Sequence, residues 1–263
     1  MSDDTRTFAA FARSLAQAAR AETLTRWRSA GAAENKAAAG AFDPVTEADI
    51  GAERAMRALI EARFPDHGIA GEEMGEKPAA GRYGWSLDPI DGTRSFVCGM
   101  PSWVTLIALL RDGEPVLGVI DAPRLGETYY GDGDSAMLAD AEGERPIAVS
   151  GRRTLGEARL STTDPYLFVG SDAERFERLR AAVRTIRFGH DGYAYARLAA
   201  GSIDLVVEAG LKPYDYNALV PVIRGAGGFV GNWRGGTDLS DGRIVAAATA
   251  SLFEEAIELL EKA

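Results

Sequence analysis

The sequence predicts an α/β (α+β) fold in two unequal halves. A mostly antiparallel N-terminal sheet carries helices on its outside, and a smaller C-terminal half is built on a mixed sheet. Three observations carry this. Two amphipathic helical stretches open the chain. A series of apolar runs punctuated by Gly and Asp follows, the pattern of successive antiparallel strands. After a polar, Gly-containing stretch at 141–153, strands alternate with helices, as in α/β architectures. That stretch divides the chain into residues 1–145 and 146–263. With 263 residues, 46% of them hydrophobic, a substantial core is available.

Residues 5–29 place Phe8, Phe11, Leu15, Ala18 and Ala19 at helical spacing, a packing helix. Residues 30–40 are rich in Ala and Gly and read as a mobile loop containing Lys36. Thr46, with Asp49 three residues on, is a variant of the capping box. The helix it starts runs to about Phe64, where Pro65 stops it; Ile50, Ala55, Met56, Leu59 and Ile60 form its apolar side. Residues 67–70 and 83–87 read as strands that end in acids, Glu72 after the first and Asp88 after the second. The apolar runs 103–110 and 116–120 flank Asp112-Gly113, a hairpin signal, and 127–130 and 136–139 continue the pattern. Asp121, just past a strand, reads as structural. In the second half, strands at 158–162, 185–188 and 203–207 alternate with helices at 173–183, 193–200 and 215–225, and a last helix covers 252–262.

The charge balance narrows the function. Twenty-nine basic against 39 acidic residues give a net charge of −10, which argues against a nucleic-acid binder driven by bulk charge. A single cysteine, Cys98, excludes an internal disulfide and makes a reducing cytoplasm the default. Cys98 itself reads as a small apolar filler rather than a nucleophile. No secretory leader opens the sequence, and no apolar run is long enough to span a bilayer. His67 and His190 are far apart in sequence, which argues against a histidine-rich zinc site.

The chemistry concentrates in residues 85–96, WSLDPIDGTRSF. Asp88 and Asp91 lie three residues apart where a strand gives way to a turn. Oxygen-rich clusters of this kind suit hard cations such as Mg²⁺. Gly92 lets backbone approach a ligand, and the amides of Gly92, Thr93 and Arg94 can receive an anion. Taken alone, the same string is also an ordinary Pro-Asp-Gly turn with surface acids. Asp215 and Asp191 each precede a helix; taken alone, Asp215 reads first as a helix N-cap, and for Asp191 a cap and a site role stand level.

The string LDPIDGT followed by an aromatic resembles the signature of the inositol monophosphatase-like, Mg²⁺-dependent phosphatases, and the resemblance covers nearly the whole chain. DPIDGTRSF, GVIDAPRLGETYYG and EAGLKPYDYNAL resemble the histidinol-phosphatase branch. The resemblance implies a layered αβαβα sugar-phosphatase fold, phosphate monoester hydrolysis and two or three Mg²⁺ ions. It implies Glu72, Asp88, Asp91, Asp215 and the Ile90 carbonyl as metal ligands. Glu72 and Thr93 would position the attacking water, with Asp49 hydrogen-bonded to Thr93. Substrate contacts would come from Ile90, Asp91, Gly92, Thr93 and Arg94, and from Arg187, Gly189, His190, Asp191 and Glu208. Lys36 sits where the family often has a basic residue near the site. Tyr214 replaces the family's usual Trp before Asp215, keeping an aromatic. Asp191 replaces the small neutral residue typical of inositol phosphatases, and with Glu208 it suits the ammonium and imidazole of histidinol. The implied substrate is therefore L-histidinol phosphate, in histidine biosynthesis. An inositol, sugar or nucleotide 3′-monophosphate is the alternative within the family, and a regulatory partner of the transcription machinery is the alternative of another class. Homodimers are common in the family.

Overall fold

The computed structural model describes residues 3–28, 34–35 and 44–261. Lys36 and most of the loop expected at 30–40 lie outside the described residues. Helix α1 (Asp3–Arg26) is followed by a short antiparallel pair, β1 (Glu34–Asn35) and β2 (Pro44–Val45), and by α2 (Glu47–Arg63). Thr46 caps α2 as its spacing predicts: its hydroxyl accepts from the Ala48 amide (3.1 Å), and its own amide donates to Asp49 Oδ2 (2.8 Å). The buried face of α2 differs from the expected one. Ala52, Met56 and Ile60 are buried, but Leu59 is 39% exposed and Glu53 and Arg57 take buried positions. They can do so because they satisfy each other: Arg57 Nε donates to Glu53 Oε1 at 2.7 Å.

The large sheet contains β3 (Gly68–Gly71), β4 (Gly75–Lys77), β5 (Tyr83–Asp91), β6 (Val104–Arg111), β7 (Glu114–Ala122), β8 (Glu127–Gly131), β9 (Ala136–Asp140) and β10 (Gly143–Pro146), with α3 (Thr93–Val97) after β5. Its order is β10-β9-β8-β7-β6-β5-β3-β4, antiparallel except for the parallel pair β3–β5. The β6–β7 turn has both central residues left-handed, Asp112 at φ 55° and Gly113 at φ 87°, the backbone that matches strand twist in a two-residue hairpin. Strand β5 does not stop at Leu87. It continues to Asp91 through an irregularity in its pairing with β6. Pro89 has no amide for the ladder, and its carbonyl accepts from Thr105 Oγ1 at 2.7 Å. The polar stretch 141–153 contains β10, so the first sheet reaches Pro146.

The second half contains β11 (Arg159–Thr162), α4 (Ser171–Ala182), β12 (Thr185–Phe188), α5 (Asp191–Ala199), β13 (Leu205–Glu208), α6 (Pro213–Tyr216), α7 (Leu219–Gly225), β14 (Phe229–Asn232), β15 (Ile244–Ala247) and α8 (Ala250–Glu261). The sheet order is β12-β11-β13-β15-β14, parallel among the first three and antiparallel beyond. The mixed sheet and the helix–strand alternation follow the sequence pattern, but β14 and β15 carry no expectation from it.

Five layers result. On one face of the large sheet, α1 and α2 pack Leu15, Met56 and Ile60 against Trp85, Leu87 and Ile107. Between the sheets, α5 and α7 bury Leu198, Val222 and Ile223 with Leu106, Ile120 and Val206. Outside the small sheet, α4 and α8 bury Phe176, Leu179, Leu252 and Leu260. This is the αβαβα order. Two strand glycines set how closely the middle helices sit, because a Cβ at Gly118 would strike the Ala218 carbonyl and one at Gly131 would lie 2.9 Å from Val222 Cα. No helix among the described residues is long and apolar enough to cross a membrane. Asp121 is structural as expected, buried and held by Arg20 Nε and Nη2, each at 2.7 Å.

Candidate active site

The parallel pairing of β3 with β5 sets Gly71 beside Leu87, so the residues that follow, Glu72 and Asp88, leave neighbouring strand ends. The Glu72 amide donates to the Leu87 carbonyl at 3.1 Å. The turn after β3 is held from below by Glu53, whose two carboxylate oxygens accept the amides of Glu73 (2.8 Å) and Met74 (3.1 Å). Three residues along, the β5 irregularity carries Asp91. Asp215 arrives from α6, where its Oδ2 accepts the Lys212 amide at 2.7 Å; Lys212, not Asp215, occupies the N-cap. Nearby, Asn217 Nδ2 donates to Ser86 Oγ at 3.2 Å, tying this segment to β5. Carboxylate oxygens of Asp88, Asp91 and Asp215 lie within 4.8 Å of one another.

Such a cluster is costly without a cation. Burial pushes the Asp88 carboxyl well above the ordinary range, and the charges of Glu72, Asp91, Asp215 and Asp49 push it further. Asp88 is 1% exposed, and its Oδ1 is buried with no hydrogen-bond partner. Burial also raises Asp91, as do Asp191 and Asp215, against the pull of the Gly192 amide that donates to Asp91 Oδ2. Clustered hard oxygen donors, one of them orphaned and buried, fit a divalent cation such as Mg²⁺.

Two details differ from the expected site. Asp49 does not bond Thr93. As the third residue of α2, it folds back on its cap, and its Oδ2 accepts from both Thr46 N and Thr46 Oγ1 (2.5 Å). Thr93 Oγ1 instead donates to the Ile90 carbonyl at 2.9 Å. Asp49 Oδ1 stays buried and unpartnered, and burial lifts this carboxyl to about 6 despite the Thr46 bonds. Cys98 is exposed and not a core filler, because it terminates the five-residue α3 at the surface.

The C-terminal half faces this cluster through the segment after β12. Gly189 has φ 79°, His190 is half-buried, and Asp191 has φ 46°, a backbone that Asp tolerates better than most residues. Ser95 Oγ donates to Asp191 Oδ2 at 3.2 Å. Gly92 has φ 86°, and a Cβ there would come within 2.8 Å of Asp191 Oδ2, so glycine is required twice over. Glu208, at the end of β13, is 1% exposed. Burial lifts its carboxyl to about 8, although Thr163 donates to Oε1 from both amide (2.6 Å) and hydroxyl (3.0 Å). Arg187 is exposed on β12; burial lowers His190, and the Arg187 charge adds to that. Arg94 is exposed and reaches Asp164 at 3.6 Å.

The expected residues 72, 88, 91 and 215 are thus gathered at one place, with 191 and 208 beside them, while Arg187 lies on the exposed strand. Sequence reasoning missed Glu53, Ser95 and Thr163. Glu53 and Arg57, four apart among apolar helix positions, are a visible ion-pair signal. Nothing local marks Thr163.

The family model for the inositol monophosphatase family matches residues 4–263. A bifunctional phosphatase, IMPL2, from the chloroplast of Arabidopsis thaliana is 43% identical over 231 residues, 84% of this chain and 66% of that protein, so the chain spans about two thirds of its length. A histidinol-phosphatase of Chlorobaculum parvum is 34% identical over 210 residues, 80% of each chain. Among solved structures, an inositol monophosphatase from Zymomonas mobilis superposes with a TM-score of 0.87 at 38% identity over all of both chains. The chain belongs to the inositol monophosphatase family and is a phosphatase of that family.

Proposed function

We propose that this phosphatase hydrolyses L-histidinol phosphate to L-histidinol and inorganic phosphate. The observation that carries the substrate is the acidic wall formed by Asp191 and Glu208 beside the carboxylate cluster, with Glu208 Oε2 buried and unpartnered. A buried carboxylate calls for a cationic partner, which the amino alcohol supplies and a polyol does not. Relatives named histidinol-phosphatase support the reading.

Two or three Mg²⁺ ions would be held by Glu72, Asp88, Asp91, Asp215 and the Ile90 carbonyl. When bound, Mg²⁺ would supply charge stabilisation for the phosphoryl oxygens and lower the pKa of a water. Glu72 and the Thr93 oxygen would position the attacking water, and Asp49 would contribute its buried Oδ1 as a further acceptor. The amides of Gly92 and Thr93 steady the phosphate. Holding the phosphoryl group and its charge is most of the task in phosphoryl transfer, and no serine or cysteine nucleophile is required. Arg94, Gly189 and His190 would border the alcohol side, and Arg187, exposed on β12, would act on it only through its charge beside His190. A homodimer, a cytoplasmic location and separate units at 1–145 and 146–263 belong to the same proposal; sedimentation at twice the chain mass checks the first.

Hydrolysis of inositol 1-phosphate is the second reading, favoured by the Zymomonas mobilis neighbour and by relatives named inositol-1-monophosphatase. Mg²⁺-dependent phosphate release from histidinol phosphate, inositol 1-phosphate and a nucleotide 3′-phosphate decides. A strong preference for histidinol phosphate is expected. A preference for inositol 1-phosphate overturns the substrate and leaves the metal site intact.

A further inference from the structure

A small cavity separates Glu208 from the carboxylate cluster. It measures about 20 Å³ and is bounded by Asp91, Thr163, Asp191, Tyr195, Glu208 and Asp215, with Leu211 and Leu219 closing it. That volume suits a single water-sized group. Two of its polar atoms are orphaned. Glu208 Oε1 is spent on Thr163, at 2.6 Å from the amide and 3.0 Å from the hydroxyl, while Oε2 has no partner. Tyr195, on α5, is 2% exposed, and its hydroxyl is equally buried and unpartnered.

The wall has a definite chemical complement. Among the described residues, no basic side chain lines it. Once a neighbouring cation draws off its proton, Glu208 only accepts hydrogen bonds, and a phenol oxygen accepts as well as donates. A water molecule or a compact, N–H-rich cation satisfies both, and only the cation also offsets the charge of the four lining carboxylates. A bulky ring does not fit the volume, and an anion is repelled by the four carboxylates.

Resting on the histidinol-phosphate reading, we propose that Tyr195 and Glu208 form the subsite for the protonated amine of the substrate's alcohol portion. Thr163 is the positioning residue that turns the free oxygen of Glu208 towards it. Tyr195 thereby becomes a specificity determinant. It touches the amine and not the phosphate, so its effect falls on esters that carry an ammonium group.

The test compares Tyr195→Phe and Thr163→Val with the wild type. The Phe variant removes the orphaned oxygen and keeps the ring. It is expected to raise KM for histidinol phosphate about 10- to 100-fold, the loss typical of a hydrogen bond to a charged group, with kcat retained. The inhibition constant of the product histidinol rises by the same factor. KM for glycerol 2-phosphate, which has no amine, stays within about twofold. Thr163→Val shifts the same two constants in the same direction, and Thr163→Ser restores them. Thermal melts confirm folding; if the Phe variant does not fold, the Thr163 pair decides. Equal losses on both esters, or an unchanged histidinol constant in both variants, overturns the proposal. A wild type that shows no preference for histidinol phosphate over glycerol 2-phosphate overturns the underlying substrate reading instead.

Discussion

Two kinds of buried carboxylate share this molecule. Asp204, completely buried, accepts from Arg159 N, Nε and Nη2, each at 2.8 Å, and from Ser150 Oγ at 2.5 Å. Burial pushes its carboxyl up, but the Arg159 and Ser150 bonds together outweigh burial and hold it below the ordinary value. Asp88, equally buried, has four acidic neighbours and an orphaned oxygen, and it is pushed well above the ordinary value. The first is a structural joint whose cation is a side chain. The second has no cationic partner among the described residues, the condition that a bound cation would relieve. Partner chemistry, rather than burial, separates scaffold from site.

The sharpest way to break this contrast is to exchange the consequences. Asp88→Asn is expected to cut Mg²⁺-dependent phosphate release more than about 100-fold, beyond the loss typical of groups that only support metal ligands. Its melting temperature in chelator should hold or rise, because a like charge has been removed; a melt and a phosphate assay on one preparation test both. Glu53→Ala loosens the turn that carries Glu72 and is expected to lower turnover about 10- to 100-fold, read in the same assay. Arg159→Ala is the mirror image. It leaves Asp204 buried and unpaired and is expected to cost about 3 kcal/mol in urea unfolding, with kcat unchanged below its lowered midpoint.

The smallest effect is a pH slope. Glu208 sits at about 8 in the folded protein against an ordinary value of 4.5. The folded chain therefore keeps a proton there that the unfolded chain has released. Stability from this group is full below about pH 4.5 and is lost as pH rises towards 8. Asp204 has the opposite sign: its contribution is present above the ordinary carboxylate value and is lost as pH falls below it. Melting temperatures of the metal-free protein across pH 5 to 8 should fall less steeply in Glu208→Gln than in the wild type.

Much of this contrast was legible in the sequence, but unevenly. The carboxylate cluster was readable because Asp88 and Asp91 share one short string with Gly92 and Thr93, and strand ends point to convergence. The α2 cap was readable from Thr46 and Asp49, yet the same cap redirected Asp49 away from Thr93. Local hydrogen bonding three residues apart prevailed over a long-range contact. Leu59 is exposed against expectation while Glu53 is buried, because periodicity counts apolar side chains and does not see an ion pair that satisfies itself. The end of β5 was misplaced because Pro89 suggests a turn, whereas an irregular ladder absorbs it. Strands β14 and β15 are only four residues each, and β14 is interrupted by Gly231. Thr163 acts through its backbone amide as much as its side chain, and a sequence carries no mark of that.

The most direct test is a calorimetric titration of Mg²⁺ into the wild type, Asp88→Asn and Arg159→Ala. If the uncompensated carboxylates are a cation site, the wild type and Arg159→Ala bind alike and Asp88→Asn loses the binding. Equal binding by all three, or none by the wild type, contradicts the account.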